Sequence, residues 1–369
     1  MRQVPYVNFR AQFEEERSEI LGAVEDVFTS GQFVSDAAVA KLEQELADYI
    51  GVKHVVALNS GTDALVLGMK AIGIGPGDEV ITPPNSFVAS TATIVALGAI
   101  PVFADVRDDQ NIDPDAVAAA ITPRTKAIMP VHLTGRMADM RPLMQLAEKH
   151  GLAVIEDAAQ SVGSLYEGRQ AGTFGLISCF STHPLKNLNA AGDGGFATTD
   201  DDAIADKIRL LRNHGLEDRN TVRIWGTVSR MDVLQSEFLR VRLRRLDSVI
   251  ERRRRNAENY RQLLADAPVF IPPDRNFEFN TFHVFVIQTD RRDELQKYLA
   301  DNGVGTAIHY PIPIHLQPAA AELGHNLGDF PVTERQAGRI LSLPINQFLS
   351  EDDQAYVAQS IKTFLGNAV

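Results

Sequence analysis

The sequence predicts an α/β protein in which helices cover both faces of a mostly parallel sheet. Short apolar runs of strand length alternate with helical stretches from residue 53 to residue 215, and this alternation is typical of parallel sheets. The chain has 369 residues, more than one hydrophobic core usually supports, so two domains are expected. Hydrophobic residues make up 44% of the chain and charged residues 23%, as in ordinary globular proteins.

The first part of the chain is predicted to supply two leading helices and then seven strands. Apolar residues recur at helical spacing from Ile20 to Phe28, so a helix is expected over 10–30, followed by a second over 36–50. Strands are predicted at 53–58, within 73–83, and at 100–106, 125–133, 152–156, 176–182 and 194–200. Further helices are predicted at 64–73, within 85–98, and at 113–120, 140–151 and 201–215, the last two stopped by glycine.

The remainder of the chain is predicted to form a smaller α/β domain. Apolar residues keep a helical period from Leu234 to Ile250, so we expect one long helix over 231–266. This helix would bridge a large domain at 1–245 and a C-terminal domain at 246–369. The other predicted elements are a strand at 279–289, a helix at 292–305, an edge strand at 306–310 that runs into prolines, and a last helix at 350–366.

Charge and composition exclude several classes of protein. The net charge of −12 argues against nucleic acid as the main partner, and acids interrupt the arginines of 231–266. The single cysteine, Cys179, excludes an intramolecular disulfide and fits a reducing compartment. The acidic start of the chain does not resemble a signal peptide, and no apolar run is long enough to cross a bilayer. We therefore expect a cytoplasmic protein without a nucleic-acid, membrane or metal partner.

Polar residues collect at one edge of the predicted sheet. The turn at 60–62 follows one strand, Asp157 follows another, and Ser181 ends a third with Lys186 just beyond it. Ligands of open α/β sheets bind outside the carboxyl ends of the strands. These residues are therefore expected to form one site.

The residue types at this edge suit an aromatic aldehyde cofactor, pyridoxal phosphate. A carboxylate at Asp157 would keep a proton on the pyridine nitrogen, which makes the ring an electron sink. Backbone N–H groups and hydroxyls of Gly61, Thr62 and Ser181 would bind the phosphate. Lys186 would supply the amine for a Schiff base.

Two more residues would complete such a site, and each candidate also has a purely structural explanation. Phe87 would stack on the ring, and Gln160 would donate a hydrogen bond to its phenolic oxygen. Alternatively, Phe87 belongs to the core, Ser60 or Thr62 caps the helix that follows the turn, and Asp157 caps another helix. A lysine near glycines, such as Lys186, is often a surface residue, so its role depends on its neighbours.

Several motifs together resemble the DegT/DnrJ/StrS family of pyridoxal-phosphate-dependent sugar aminotransferases. The segments that carry the resemblance are NSGTDAL (59–65), PPNSFVAS (83–90), PVHLTG (130–135), EDAAQS (156–161), FSTHPLKNLNAAGDGG (180–195), SRMDVLQ (229–235), AIHYPIPIH (307–315) and LSLPINQ (341–347). They span nearly the whole chain. The resemblance implies the fold-type-I, aspartate-aminotransferase-like architecture, with a mostly parallel seven-stranded sheet in a large domain and a smaller C-terminal α/β domain. It also implies a homodimer with active sites at the subunit interface.

The resemblance assigns a role to each candidate residue. Lys186 would form the Schiff base and move the proton between the substrate and the cofactor. Asp157 would be the partner of the pyridine nitrogen. The other cofactor contacts implied are Phe87 for stacking, Gln160 for the phenolic oxygen, and Gly61, Thr62 and Ser181 for the phosphate.

Two positions depart from the family pattern. The residue three before the lysine is often aromatic, and here it is His183, which either contacts the substrate or packs. In many members, the asparagine of a G-x-N-x-R stretch reaches across the dimer to the phosphate. Here Val228 replaces it, so either Ser229 or Arg230 substitutes for it or the contact is absent.

Arg230 and four further residues are candidates for substrate contacts. His309, Tyr310 and His315 fall in the stretch that approaches the sugar in this family, with packing between domains as the alternative. Arg136 would pair with a carboxylate or a diphosphate, or it lies in an exposed loop.

The resemblance implies ping-pong transamination, in which L-glutamate converts the cofactor to pyridoxamine phosphate and a keto- or aldehydo-sugar collects the amine. A nucleotide-linked ketohexose is the expected acceptor, in the synthesis of amino sugars for lipopolysaccharide, other polysaccharides or secondary metabolites. The alternatives are an aminotransferase for a non-nucleotide acidic sugar such as an oxidised 3-deoxy-octulosonate, a pyridoxal- or pyridoxamine-dependent sugar dehydratase, and a regulatory or scaffold protein that kept the fold. Dehydratases of the family carry histidine at the lysine position, so Lys186 favours transamination.

Overall fold

A computed structural model describes residues 2–366 of the chain. Its strands are β1 (His54–Leu58), β2 (Glu79–Thr82), β3 (Ile100–Phe103), β4 (Thr125–Ile128), β5 (Ala153–Asp157), β6 (Leu165–Tyr166), β7 (Arg169–Gln170), β8 (Ile177–Ser181), β9 (Gly195–Thr199), β10 (Glu278–Phe279), β11 (Phe285–Gln288) and β12 (Ile340–Leu343). Its α-helices are α1 (Phe9–Ser30), α2 (Asp36–Ile50), α3 (Gly61–Ala71), α4 (Val88–Ala96), α5 (Pro114–Ala120), α6 (Met140–His150), α7 (Asp202–Arg212), α8 (Val233–Leu243), α9 (Leu246–Leu263), α10 (Arg292–Asp301), α11 (Pro331–Ala337) and α12 (Glu351–Gly366).

Seven strands form the central sheet, in the order β1-β9-β8-β5-β4-β2-β3. Strand β9 is antiparallel to both of its neighbours, and the other pairings are parallel. The predicted α/β class and the mostly parallel seven-stranded sheet are therefore confirmed. The parallel strands end at one edge of the sheet, where Asp157 and Ser181 are the last residues of β5 and β8.

Alternate residues of β1 show how helices cover both faces of this sheet. Val56 and Leu58 pack into the apolar cluster that contains residues of α3 and α7. Val55 and Ala57 pack into the cluster on the other face, which contains residues of α2 and α8. Side chains alternate between the faces of a strand, so one short apolar run supplies both cores.

A second, smaller sheet lies in the C-terminal part of the chain. Strands β11 and β12 pair in antiparallel fashion, and their buried residues share an apolar cluster with α9, α10 and α12. The segment before β11 approaches the large sheet, because Thr281 N donates to the carbonyl oxygen of Gly135 at 3.0 Å. The cavity described below lies along this contact.

The prediction of one long helix over 231–266 is wrong. The structure has two helices, α8 and α9, interrupted at Arg244 and Arg245. Residues of α8 pack with the cluster around α2, whereas Ala257 and Tyr260 of α9 pack with the small domain. Leu246 and Ile250 at the start of α9 also lie in the cluster around α2, so α9 runs from that core to the core of the small domain. The domain boundary at 245/246 remains a prediction.

Two predicted strands are also shorter or absent. Only residues 285–288 of the predicted strand 279–289 pair with β12. The predicted edge strand at 306–310 is reduced to a single bridge between Ala307 and Ser342, since the prolines that follow stop a longer ladder. Within residues 2–366, none of the helices combines the length and apolar character needed to cross a bilayer.

Candidate active site

A cavity of about 450 Å³ opens at the carboxyl ends of the central strands. It is bordered on one side by the large sheet and on the other by segments of the small domain. Ten of the predicted site residues line it: Gly61, Thr62, Phe87, Asp157, Gln160, Ser181, His183, Lys186, His309 and Tyr310. The sequence therefore identified the position of the cavity and most of its polar wall.

Asp157 is fixed in place by two donors. The hydroxyl of Ser90 donates to Asp157 Oδ2 at 2.7 Å, and Ala159 N donates to Oδ1 at 3.2 Å. Burial raises the pKa of Asp157, and the Ser90 hydrogen bond opposes this shift. The residues after Asp157 form turns, so the alternative of a helix cap does not apply. A buried, oriented carboxylate of this kind fits a protonated pyridine nitrogen.

The N-terminus of α3 presents two unpaired N–H groups to the cavity. Ser60 Oγ accepts from Asp63 N at 3.0 Å, so Ser60 is the cap and Thr62 is not. Among the described residues, the backbone N–H groups of Gly61 and Thr62 find no acceptor. Free N–H groups at a helix N-terminus form an anion site, which fits the cofactor phosphate.

Ser181 completes this phosphate cradle from the neighbouring strand. Its Oγ accepts from His183 N at 3.3 Å, which leaves the hydroxyl proton free for an external acceptor. A Cβ at Gly61 would lie 2.7 Å from Ser181 Cβ. Only glycine therefore lets the turn after β1 approach Ser181 this closely.

Gln160, Tyr310 and Phe87 form one wall of the cavity. Thr134 N donates to Gln160 Oε1 at 2.8 Å, so the Nε2 donor of Gln160 faces away, with the Tyr310 hydroxyl at 3.5 Å. The rings of Phe87 and Tyr310 lie 5.6 Å apart with an angle of 45° between their planes. Phe87 is 54% exposed, so it is not a core residue and its ring is available for stacking.

Lys186 lies in the turn between β8 and β9 and lines the cavity. Burial lowers the pKa of its amine to about 8, although the charge of Asp157 opposes this shift. An ordinary lysine titrates near about 10.4. A larger fraction of Lys186 is therefore neutral near pH 7 to 8, as a nucleophile and base requires.

Glu156, the residue before Asp157, was not recognised in the sequence. Its buried carboxylate accepts hydrogen bonds from His132 Nε2, Gly172 N, Phe174 N, Gly175 N and Ser178 Oγ. His132 Nδ1 accepts from Ala138 N at 3.2 Å, so the imidazole proton lies on Nε2. Burial raises the pKa of Glu156, but the His132 and backbone hydrogen bonds outweigh it and leave the pKa below its usual value. The sequence signal that could have identified Glu156 was an acidic residue inside an apolar strand.

The small domain and the N-terminal segment contribute cavity residues that sequence reasoning also missed. Tyr6, Arg253, His283 and Asn346 all line the cavity. Asn346 lies in the LSLPINQ motif but was not singled out, whereas Tyr6, Arg253 and His283 lie outside the motifs, with Arg253 among four consecutive arginines. Nothing local distinguishes it from its neighbours.

Arg230 does not line the cavity formed by this chain. Its Nη1 donates to Asn213 Oδ1 at 2.7 Å. Val228 forms a bridge with Asn213 and leaves half of its side chain exposed. These residues therefore lie on the surface loop that precedes α8.

His315 and Arg136 lie in structural clusters outside the cavity. His315 Nε2 lies 3.0 Å from Glu334 Oε1, and its ring packs edge-on against Phe330, which agrees with the packing alternative. Arg136 is buried and donates to Asp274 Oδ1 at 2.7 Å. Arg136 is therefore neither in an exposed loop nor a ligand contact, because its charge is already paired.

The sequence of this chain is similar to those of a known protein family. The model of the DegT/DnrJ/EryC1/StrS aminotransferase family matches residues 14–362. The chain belongs to this family. The dTDP-3-amino-3,4,6-trideoxy-alpha-D-glucose transaminase of Streptomyces venezuelae is 40% identical over 361 residues, 97% of this chain and 95% of that protein. The UDP-N-acetyl-3-dehydro-alpha-D-glucosamine 3-aminotransferase of Acidithiobacillus ferrooxidans is 42% identical over 363 residues, 98% of each chain.

Solved structures of this aminotransferase family share the whole fold. The crystal structure of S. venezuelae DesV in complex with a ketimine intermediate is 40% identical, covers 100% of both chains and has a TM-score of 0.97. A putative sugar aminotransferase from Streptococcus pneumoniae, solved in its PLP-form, covers 100% of this chain and 98% of its own at a TM-score of 0.90 and 26% identity. The present aminotransferase uses pyridoxal phosphate as cofactor, and its carboxylate, phosphate cradle and lysine fit that cofactor.

Proposed function

We propose that this aminotransferase moves an amino group from L-glutamate to a nucleotide-linked keto- or aldehydo-sugar during amino-sugar synthesis. One observation carries the proposal: the Lys186 amine and the Asp157 carboxylate share one cavity with a phosphate cradle at α3. The similarity to transaminases named for dTDP-linked and UDP-linked sugars supports a nucleotide-linked acceptor.

Different side chains of this site contact different atoms of the cofactor. When bound, the cofactor supplies the electron sink for amine transfer. Asp157, held by Ser90 and Ala159, keeps a proton on the pyridine nitrogen. Gln160, whose amide is oriented by Thr134 N, donates toward the phenolic oxygen.

Lys186 moves the proton at the reacting carbon. With a pKa lowered to about 8, its amine is basic enough to accept a proton and neutral often enough to do so near physiological pH. Lysine at this position supports transamination rather than the alternative of a sugar dehydratase.

We also propose a homodimer whose subunits meet near the cavity. On the loop before α8, Trp225 is 85% exposed, and Val222 and Val228 are about half exposed. Clustered exposed apolar side chains mark interfaces more often than free surface. Light scattering should report twice the mass of 40.5 kDa, and Trp225→Glu should weaken association; a monomeric wild-type protein would exclude the dimer.

The transferase proposal is tested with wild-type protein and Lys186→Ala. The wild type should show cofactor absorbance in the visible range that the variant lacks, and glutamate with a nucleotide-linked keto-sugar should yield 2-oxoglutarate and an amino sugar. Lys297→Ala is the matched control, because Lys297 is exposed on α10 and does not line the cavity. Loss of a sugar hydroxyl without amine transfer would show a dehydratase instead. Absence of lysine-dependent absorbance would contradict the assigned role of Lys186.

A further inference from the structure

Arg253 is a buried cation on the cavity wall that has no carboxylate partner among the described residues. The side chain belongs to α9, is 7% exposed and lines the cavity. Its Nη1 donates to the carbonyl oxygens of Phe282 and His283, both at 3.2 Å. Within residues 2–366, no Asp or Glu oxygen lies within 4.0 Å of the guanidinium. Burying a charge without a counter-ion is unfavourable in free energy, so an anionic ligand would stabilise this site.

One edge of this guanidinium is unsatisfied. In the part of the chain that the structure describes, the buried Arg253 Nε has no acceptor, and Nη2 reaches only Gln347 Oε1 at 3.5 Å, the outer limit for a hydrogen bond. The Nε–H and one Nη2–H of an arginine point the same way and form a fork that matches the two oxygens of a carboxylate. Burial lowers the pKa of Arg253 to about 10, a penalty that a bound anion would reverse.

One segment contacts both Arg253 and the turn that carries Lys186. Both border the cavity and also a neighbouring hollow of about 20 Å³, which has room for roughly one water molecule. Asn187, next to Lys186, donates to the carbonyl oxygen of Thr281 at 3.1 Å. Residues 281–283 thus bind the lysine turn at one end and the Arg253 guanidinium at the other.

Two histidines of the cavity wall do not compete for an anion. Burial lowers the pKa of His309 to about 4 and that of His283 well below its usual value, so both imidazoles are neutral near pH 7. Asp157 is assigned to the cofactor nitrogen, and Lys186 takes part in the chemistry. Among the described residues that line the cavity, Arg253 is thus the permanent cation left for a substrate.

We propose that Arg253 binds the carboxylate of the amino-acid donor through its Nε–Nη2 edge. The inference rests on the proposed transaminase function and deepens it. An α-amino acid carries its carboxylate on the carbon that bears the amine, so the anion lies beside Lys186 when that carbon reacts. A neutral keto-sugar has no anion at its reacting carbon, and the phosphates of a nucleotide sugar lie farther away. Arg253 therefore serves the donor half-reaction and not the sugar half-reaction.

The test compares Arg253→Gln and Arg253→Lys with Arg254→Gln in the holoenzyme. Arg254 is the matched control, because it donates to the carbonyl oxygen of Asn280 at 2.7 Å but does not line the cavity. Each half-reaction is followed by cofactor absorbance in single turnovers. In Arg253→Gln, the glutamate concentration for half-maximal rate should rise by about 30-fold or more, as is usual when one partner of a buried charged pair is truncated. In the same variant, the rate of the half-reaction with the amino-sugar product should change by less than about threefold.

Calorimetry supplies a readout that does not depend on turnover. Glutarate, a dicarboxylate that cannot transaminate, should bind the wild type and Arg254→Gln and lose affinity in Arg253→Gln. If that variant does not fold, Arg253→Lys keeps the charge and should show the same effects in weaker form. Equal losses in both half-reactions, or unchanged glutarate binding, would overturn the proposal. A wild type that binds glutarate but transfers no amine would refute the proposed function and leave the role of Arg253 standing.

Discussion

Ser90 and Asp157 are 67 residues apart in sequence, yet the Ser90 hydroxyl donates to Asp157 Oδ2 at 2.7 Å. Helix α4 begins at Val88 and brings Ser90 over the end of β5 within its first turn. The backbone of Ala159 holds the other carboxylate oxygen. The geometry of the carboxylate is therefore set by the protein before any ligand contacts it, which is how enzymes preorganise charged groups.

Ser90→Ala should weaken the cofactor site without abolishing it. A hydrogen bond to a charged group contributes about 1.5–3 kcal/mol, so we expect cofactor affinity and kcat to fall by about tenfold or more. The Ser90 hydrogen bond opposes the rise in the pKa of Asp157. Without it, the pKa of Asp157 should be higher still, so on acidification the variant should lose activity at a higher pH than the wild type. Cofactor titration and pH–rate profiles measure both effects. Ser86→Ala is the control, since its hydroxyl donates to a backbone carbonyl, and equal behaviour of the two variants would argue against the role of Ser90.

The amine of Lys186 should titrate well below an ordinary lysine. Burial disfavours the charged form, so the neutral amine should prevail above about pH 8 rather than above about 10.4. Acetylation of the cofactor-free enzyme across pH, read by mass spectrometry, should show a midpoint near that value. Asp157→Asn removes the negative charge that raises the pKa and should move the midpoint lower. A midpoint in the range of the exposed lysines would contradict the prediction.

The part of the site that lies on the large sheet was predictable because its signals are local. Asp157 and Ser181 stand at the ends of apolar runs, and the turn at 60–62 links a strand to a helix. Parallel strands bring such ends to one edge. The seven strands therefore place the residues together without any knowledge of long-range packing.

The rest of the site depends on tertiary packing that leaves no local pattern. The bend at 244–245 carries no glycine or proline, so periodicity predicted a continuous helix. Arg253 borders the cavity because α9 packs between the cluster around α2 and the small domain. His309 lines the cavity while His315, six residues later in the same motif, packs against Phe330. The motif alone could not separate these two histidines.

Glu156→Gln should destabilise the fold around the cavity. Five N–H and O–H groups converge on this carboxylate, and the amide of glutamine would place a donor against some of them. We expect the free energy of unfolding to fall by about 3 kcal/mol, measured by urea denaturation. The exposed Glu148→Gln is the control.

At acidic pH, the difference in the free energy of unfolding between the wild type and Glu156→Gln should disappear. The pKa of Glu156 is lowered in the folded state, so its contribution to stability is present above the pKa of an unfolded glutamate, about 4.3. That contribution is lost as pH falls through the lower folded pKa. A stability difference that stays constant into strong acid would show that the carboxylate charge is not what the network requires.

Gly61→Ala and Gly22→Ala should have opposite effects on the stability of the protein. A Cβ at Gly61 would lie 2.7 Å from Ser181 Cβ and 3.0 Å from Ser181 Cα, so the phosphate cradle must open. We expect a loss of about 1–3 kcal/mol in stability, with release of the cofactor during gel filtration. A Cβ at Gly22 in α1 meets nothing within 4 Å, and alanine should raise stability by up to about 1 kcal/mol through its helix propensity. If Gly61→Ala keeps both its stability and its cofactor, the close approach of the turn at 60–62 to Ser181 is not what binds the phosphate.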